Sequence, residues 1–213
     1  MLFLTFSSIS SFAQLVSVTL EGGYVYIPQN PVDFKTPVLM KLGVENWLWN
    51  RFAIGVNAQL GGVELGDDDY ISVTDDRELE VSNFAKSVNA YAKFAIFSGD
   101  DYSLSIKPEF GYGIVESRPT IYFHDHLAKT VISTRYKTVT QKMVHFGLGV
   151  QGQYFISESW DVCLSLSFDN YDLGKSLNKM DLDGQWSHGF NEKTVFLSAG
   201  IGFHYYLFGK SKR

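Results

Sequence analysis

The sequence predicts an all-β fold, an eight-stranded antiparallel up-and-down transmembrane β-barrel with short turns at one end and long loops at the other. Two observations carry that expectation: eight stretches alternate apolar and polar residues, and the connections between them alternate between very short and long. In the clearest stretch, Trp160, Val162, Leu164, Leu166 and Phe168 alternate with Asp161, Cys163, Ser165, Ser167 and Asp169. A period of two places each set on its own face of a strand. A helical span would instead need about 20 consecutive apolar residues, and beyond the N-terminus no such run exists.

Strands are expected at Leu15 to Pro28, Thr36 to Leu48, Arg51 to Val63, Ser82 to Phe97, Asp101 to Ser117, Lys137 to Ser157, Trp160 to Asp172 and Lys193 to Phe208. Trp49-Asn50, Ser98-Gly99-Asp100 and Glu158-Ser159 read as tight turns, whereas Glu64 to Val81, Arg118 to Tyr136 and Leu173 to Glu192 read as long loops. An even strand number returns both termini to the short-turn side, as in outer-membrane barrels with periplasmic turns and extracellular loops.

Alternation alone also suits a lipocalin-type container with an apolar interior. Three features place the apolar face outside. The tracks Phe52 to Leu60, Val88 to Ile96, Tyr102 to Tyr112, Trp160 to Phe168 and Leu197 to Leu207 approach the ~9–11 residues that a tilted strand needs to cross a bilayer. Lys86 and Lys142 interrupt the apolar faces only near the long-loop end, where a charge costs ~0–1 kcal/mol instead of the ~2–4 of the midplane. Aromatic residues gather at both ends of the tracks, with Phe52, Phe94, Tyr102, Tyr154, Trp160 and Tyr205 low and Tyr24, Tyr26, Tyr112 and Phe168 high. Two aromatic girdles suit two membrane interfaces.

The opposite face carries small and polar residues, among them Gly55, Asn57, Gln59, Ser103, Ser105, Gly147, Gly149, Gln151 and Gln153. These fit the lumen of an eight-stranded barrel, which side chains fill. Pro108 lies on an outward track and withholds a ladder donor, so a bulge or a water is expected there.

With 213 residues the chain is expected to be one domain, or one domain plus a removable leader. Met1 to Gln14 reads MLFLTFSSISSFAQ, an apolar run followed by Ser11-Phe12-Ala13. Residues 1–13 are therefore expected to be a signal peptide and 14–213 the barrel domain. The net charge of -5 disfavours nucleic acid as a partner. Cys163 is the sole cysteine, which excludes internal disulfides and cages built from several thiolates. The Gly-x-Gly pairs lack the following helix of a phosphate loop, so no cofactor is expected.

On this pattern, on the cleavage-site sequence Ser11-Phe12-Ala13-Gln14, on the Asn46-Trp47-Leu48-Trp49-Asn50-Arg51-Phe52-Ala53-Ile54-Gly55 hairpin and on the alternating last strand Val195 to Leu207, the chain resembles the small Gram-negative outer-membrane β-barrel family. That group includes the transmembrane domain of OmpA and OmpX-like barrels, and is also labelled porin-family. The resemblance spans Leu15 to Phe208 and is specific for architecture rather than activity. It implies an integral outer-membrane protein with both termini periplasmic, in contact with membrane lipids and lipopolysaccharide. It also implies a monomer, assembled by the barrel-assembly machinery and periplasmic chaperones. The expected role is non-enzymatic, in envelope integrity or in recognition of a surface ligand through extracellular loops. A narrow porin-like channel gated by luminal Lys/Glu pairs is the alternative, and a lipid-modifying enzyme is a third reading.

No catalytic, cofactor or metal site emerges from the sequence. Two clusters do. Glu21, Lys41, Glu45, Lys93, Lys107, Glu109 and Asp161 fall on the luminal face, where buried charge requires pairing. Asp67, Asp68, Asp69, Asp75 and Asp76 lie in the acidic segment Glu64 to Glu80, where a divalent cation could be held if it is more than a solvated loop. His124 and His126 would share a strand face, with no third ligand nearby in sequence. The acidic and basic loops are expected to fold toward each other as a mobile cap.

Overall fold

In the computed structural model, which describes residues 16–26, 33–49, 51–70, 75–171, 173–184 and 195–208, the alternating segments form one antiparallel sheet. Its strands are β1 (Val16–Tyr26), β2 (Asp33–Trp49), β3 (Phe52–Tyr70), β4 (Asp75–Ser98), β5 (Tyr102–Asp125), β6 (Thr130–Arg135), β7 (Val139–Phe155), β8 (Trp160–Tyr171) and β9 (Val195–Phe208). Each pairs with its sequence neighbour, except that among the described residues β6 pairs with β5 alone and β7 also joins β5. Pairing of β1 with β9, from Ser17↔Tyr206 to Tyr26↔Leu197, closes eight of the strands into a ring. Closure leaves no free edge inside the barrel.

Orientation follows the alternation. Leu164 is 65% exposed and Ile54 44%, while Ser165 and Gly55 lie on the opposite face. The outer surface carries Leu42, Val56, Val88, Phe110, Phe146, Leu148, Leu166 and Ile201. Its rim bears the aromatic pairs Phe52–Phe94 at 4.9 Å and Trp160–Tyr205 at 4.6 Å between centroids. With charged and amide side chains inside, the arrangement is a transmembrane barrel and not a lipocalin-type container. Residues 1–15, with the expected leader, lie outside the described residues.

Two expected loops are strands instead. β3 and β4 stay paired from Phe52↔Phe94 to Tyr70↔Asp76, so the acidic segment is the top of a long hairpin. Most of the basic segment belongs to β5 and β6, paired from Thr120↔Arg135 to Asp125↔Thr130. Together β3, β4, β5 and β6 raise a four-stranded sheet beyond the outer belt. The cause is continued alternation: Leu65, Leu79, Val81 and Ile121 turn inward and are fully buried, and their burial holds the extension upright. The third long connection holds α1 (Leu173–Leu177), a short helix that buries Leu173 and Leu177 over the barrel mouth.

At Pro108 no bulge forms. The β4–β5 ladder skips from Tyr91↔Glu109 to Phe94↔Ile106 in unchanged register, and the irregularity lies between Ala95 and Phe97.

Candidate functional site

The lumen is filled in three layers. Nearest the short turns, Trp47, Ala53, Ala95 and Tyr206 pack together. Nearest the long loops, Val25, Leu39, Leu65, Leu79, Val115, Met143 and Phe196 pack with Leu173, Leu177 and Leu182 of the α1 segment. Between these seals lie the polar residues, and all seven charged positions singled out from the sequence are buried there.

They form linked ion pairs. Lys93 Nζ contacts Glu45 Oε2 at 2.7 Å, donates to Gln153 Oε1 at 3.3 Å and lies over the Trp47 ring. Gln153 Nε2 donates to Asp161 Oδ2 at 3.0 Å, and Tyr206 also donates to that carboxylate. Lys107 donates to Glu21 at 3.0 Å and sits 4.3 Å from the Tyr91 ring centroid. Lys41 donates to both oxygens of Glu109, at 3.1 and 3.2 Å. Coulombic attraction in a low-dielectric interior is strong enough to offset desolvation only when such pairing is close.

Sequence reasoning missed the companion to this network around His145. His145 Nε2 lies 2.9 Å from Asp169 Oδ1 and Nδ1 lies 3.1 Å from Asn89 Oδ1. The ring stacks on Tyr171 at 4.6 Å. Asn89 Nδ2 reaches Asn57 Oδ1, Gln59 Oε1 and Glu109 Oε1 at 2.9, 3.1 and 2.9 Å. Those three acceptors fix the Asn89 amide, so its oxygen must accept from His145. The luminal parity of β8, which sets Asp161, Cys163 and Asp169 on one face, was the available signal. Cross-barrel partners depend on tilt and stagger, which alternation does not encode.

Small side chains let these groups meet. A Cβ on Gly55 would lie 2.3 Å from the Tyr91 ring, and one on Gly111 would lie 1.7 Å from Asn89 Oδ1. Beside Glu21, Lys107 and Gln151 a cavity of about 30 Å³ remains, room for one or two waters but not for a solute path.

On the projecting sheet, Asp67, Asp68 and Asp69 lie in β3, paired with Leu79, Glu78 and Arg77. Asp75 and Asp76 begin β4. An extended backbone therefore takes the place of the expected loop; the side chains of Asp67, Asp68, Asp69 and Asp75 lie outside those described. Asp76 meets His126 at 3.3 Å and Glu78 meets His124 at 3.6 Å. The acidic and basic segments are thus side by side in one hydrogen-bonded sheet, not opposed in a mobile cap. Above the outer belt, Lys86 and Arg118 each donate to Glu116 at 3.1 Å, which holds its carboxyl below the usual range, Lys86 being the larger cause.

No family model matches the chain, and no curated protein matches it. The chain is similar to solved β-barrels. One is the attachment invasion locus protein Ail of Yersinia pestis, 15% identical over 90% of this chain and 97% of that chain, with a TM-score of 0.39. Another is Neisserial surface protein A, 10% identical over 90% and 95%, with a TM-score of 0.42. A third is the N-terminal β-barrel domain of Pseudomonas aeruginosa OprF, 14% identical over 90% and 98%, with a TM-score of 0.39. At these identities the likeness concerns barrel architecture alone.

Proposed function

We propose that this chain is a non-enzymatic integral barrel of a Gram-negative outer membrane that holds a β-sheet platform above the membrane for surface recognition. The observation that carries this reading is the sheet of β3 to β6 with its outermost strand β6. Every residue of Thr130–Arg135 is exposed, including Val131 and Ile132, and among the described residues β6 pairs only with β5. A free strand edge is a template for an added strand from another chain. Lumen packing supports the same reading, because the apolar seals and ion pairs leave no route for a substrate. Among the described residues, the imidazoles closest to carboxylates, His145 and His204, lie inside the lumen, away from any substrate surface.

In the outer-membrane orientation the sheet faces outward and the short turns face the periplasm. An epitope inserted between Leu127 and Ala128 should be stained on intact cells, and one inserted at Glu158 only after permeabilisation. Replacing residues 124–133 by a short turn should abolish cell attachment gained on expression while leaving the barrel folded. Reversed staining, or unchanged attachment by the shortened protein, would contradict the proposal.

A further inference from the structure

His124 near the end of β5 and His126 in the turn after it lie two residues apart, and the fold sets β4 beside them. In the β4–β5 ladder Asp76 pairs with His124, and Glu78, two residues from Asp76, shares that face of the sheet. It is the face opposite to the one on which Leu79 and Ile121 are buried. Beyond Asp125 the chain turns tightly, with Ala128 N–H donating to Asp125 Oδ1 at 2.8 Å and Lys129 at a φ of 52°. That turn keeps His126 over the start of β4, where its Nε2 lies 3.3 Å from Asp76 Oδ2. His124 Nε2 lies 3.6 Å from Glu78 Oε2, and the two rings stack with centroids 6.5 Å apart and planes 18° from parallel. The further donors that spacing along the sequence does not supply thus come from the neighbouring strand.

Three features suit a metal ion. First, among the described residues neither imidazole is in a hydrogen bond, its only polar contacts being the two carboxylates. Each ring can therefore carry its proton on Nδ1 toward solvent and keep a lone pair on Nε2. Second, Asp76 Oδ1 is shielded from solvent and has no hydrogen-bond partner. Third, the spacing is that of ligands on one ion. Bonds of about 2.0 Å at a tetrahedral angle separate a nitrogen and an oxygen donor by about 3.3 Å, against the 3.3 and 3.6 Å found. The same bonds put two ligating rings about 5 Å apart between centroids. From 6.5 Å this asks for a modest tilt, open to His126 because its side chain is 57% exposed.

We propose that His124, His126 and Asp76, with Glu78 as fourth ligand, bind a single borderline divalent ion of the Zn²⁺ type on the exposed face of the projecting sheet. Two imidazoles suit such an ion, whereas Ca²⁺ and Mg²⁺ take oxygen ligands. The surrounding charge favours a cation, since Glu64 to Glu80 holds eight carboxylates against Arg77 alone. The ion joins β4 to the turn between β5 and β6 and so braces the tip of the sheet.

The test is calorimetric titration with Zn²⁺ of the untagged full chain folded in detergent micelles, with heat-dependent gel mobility verifying the barrel. Wild-type protein should bind about one Zn²⁺ per chain, and a large excess of Mg²⁺ or Ca²⁺ should leave that binding in place. His124→Ala, His126→Ala and Asp76→Asn should each weaken affinity at least about 10-fold, the loss that even a residue outside the coordination sphere can cause. The variant carrying both histidine changes should lose saturable binding. All four substituted proteins should keep the gel mobility of the folded barrel, because these side chains lie outside the lumen. A folded wild-type chain without saturable Zn²⁺ binding would overturn the proposal without any variant. Displacement of Zn²⁺ by Mg²⁺, or unchanged binding by the double variant, would overturn it too.

Discussion

Midway along the lumen, Lys93, Lys107 and Lys41 face Glu45, Glu21 and Glu109 among amide side chains. Toward the long loops, the same inward positions of the same strands carry Leu39, Leu65, Leu79, Val115 and Met143 under α1. The two regions share backbone geometry and differ in what fails when a side chain is lost. An apolar layer that loses atoms keeps a cavity, whereas a paired layer that loses one partner keeps an uncompensated charge. The apolar layer suits a lid and the continuing sheet, since it asks little of partner geometry. The polar layer demands a unique arrangement and so fixes the register of the strands around it.

The largest expected effect falls in the polar layer. Lys93→Met should destabilise the barrel by ~3–5 kcal/mol, because Glu45 stays buried without its cation. Adding Glu45→Leu should recover much of that loss. Equilibrium unfolding in urea from detergent or lipid vesicles checks both, and a double variant as weak as the single one would break the comparison. In the apolar layer Leu79→Ala should cost ~2–5 kcal/mol without any such rescue, depending on how far the α1 segment settles into the gap.

On the outer surface Leu164→Arg should cost ~2–4 kcal/mol, because it places a charge near the midplane. Ser165→Thr, one residue away and facing inward, should cost far less, which membrane-assembly yield would compare directly. The smallest effect belongs to the rim. Glu116 has a lowered pKa, so its contribution is complete above the ordinary carboxylate range and is lost as pH falls through the lowered value. Exposure and salt screening keep it small. Thermal melts of wild type and Glu116→Gln should differ at neutral pH and converge in acid.

Much of this was legible from alternation. The period of two assigned inward and outward faces for Trp160 to Asp169, and with them the luminal positions of Glu21, Lys93 and Asp161. It did not reveal the projecting sheet, since in Glu78-Leu79-Glu80-Val81 the charges suggest a solvated loop while the apolar partners continue the strand. α1 escaped because five residues carry too little helical periodicity to register. Which lysine meets which carboxylate depends on stagger around the ring.

If the molecule works through its projecting sheet and not its interior, the sealed lumen should not conduct. Planar-bilayer recordings of purified protein, alone and with Leu173→Asp and Leu177→Asp opening the upper seal, test this most directly. Neither protein should show stable porin-like conductance, because the ion-paired layer and the Trp47–Tyr206 seal remain below. Reproducible nanosiemens steps from a verified monomer of the wild-type chain would contradict the filled lumen and return the function to a channel.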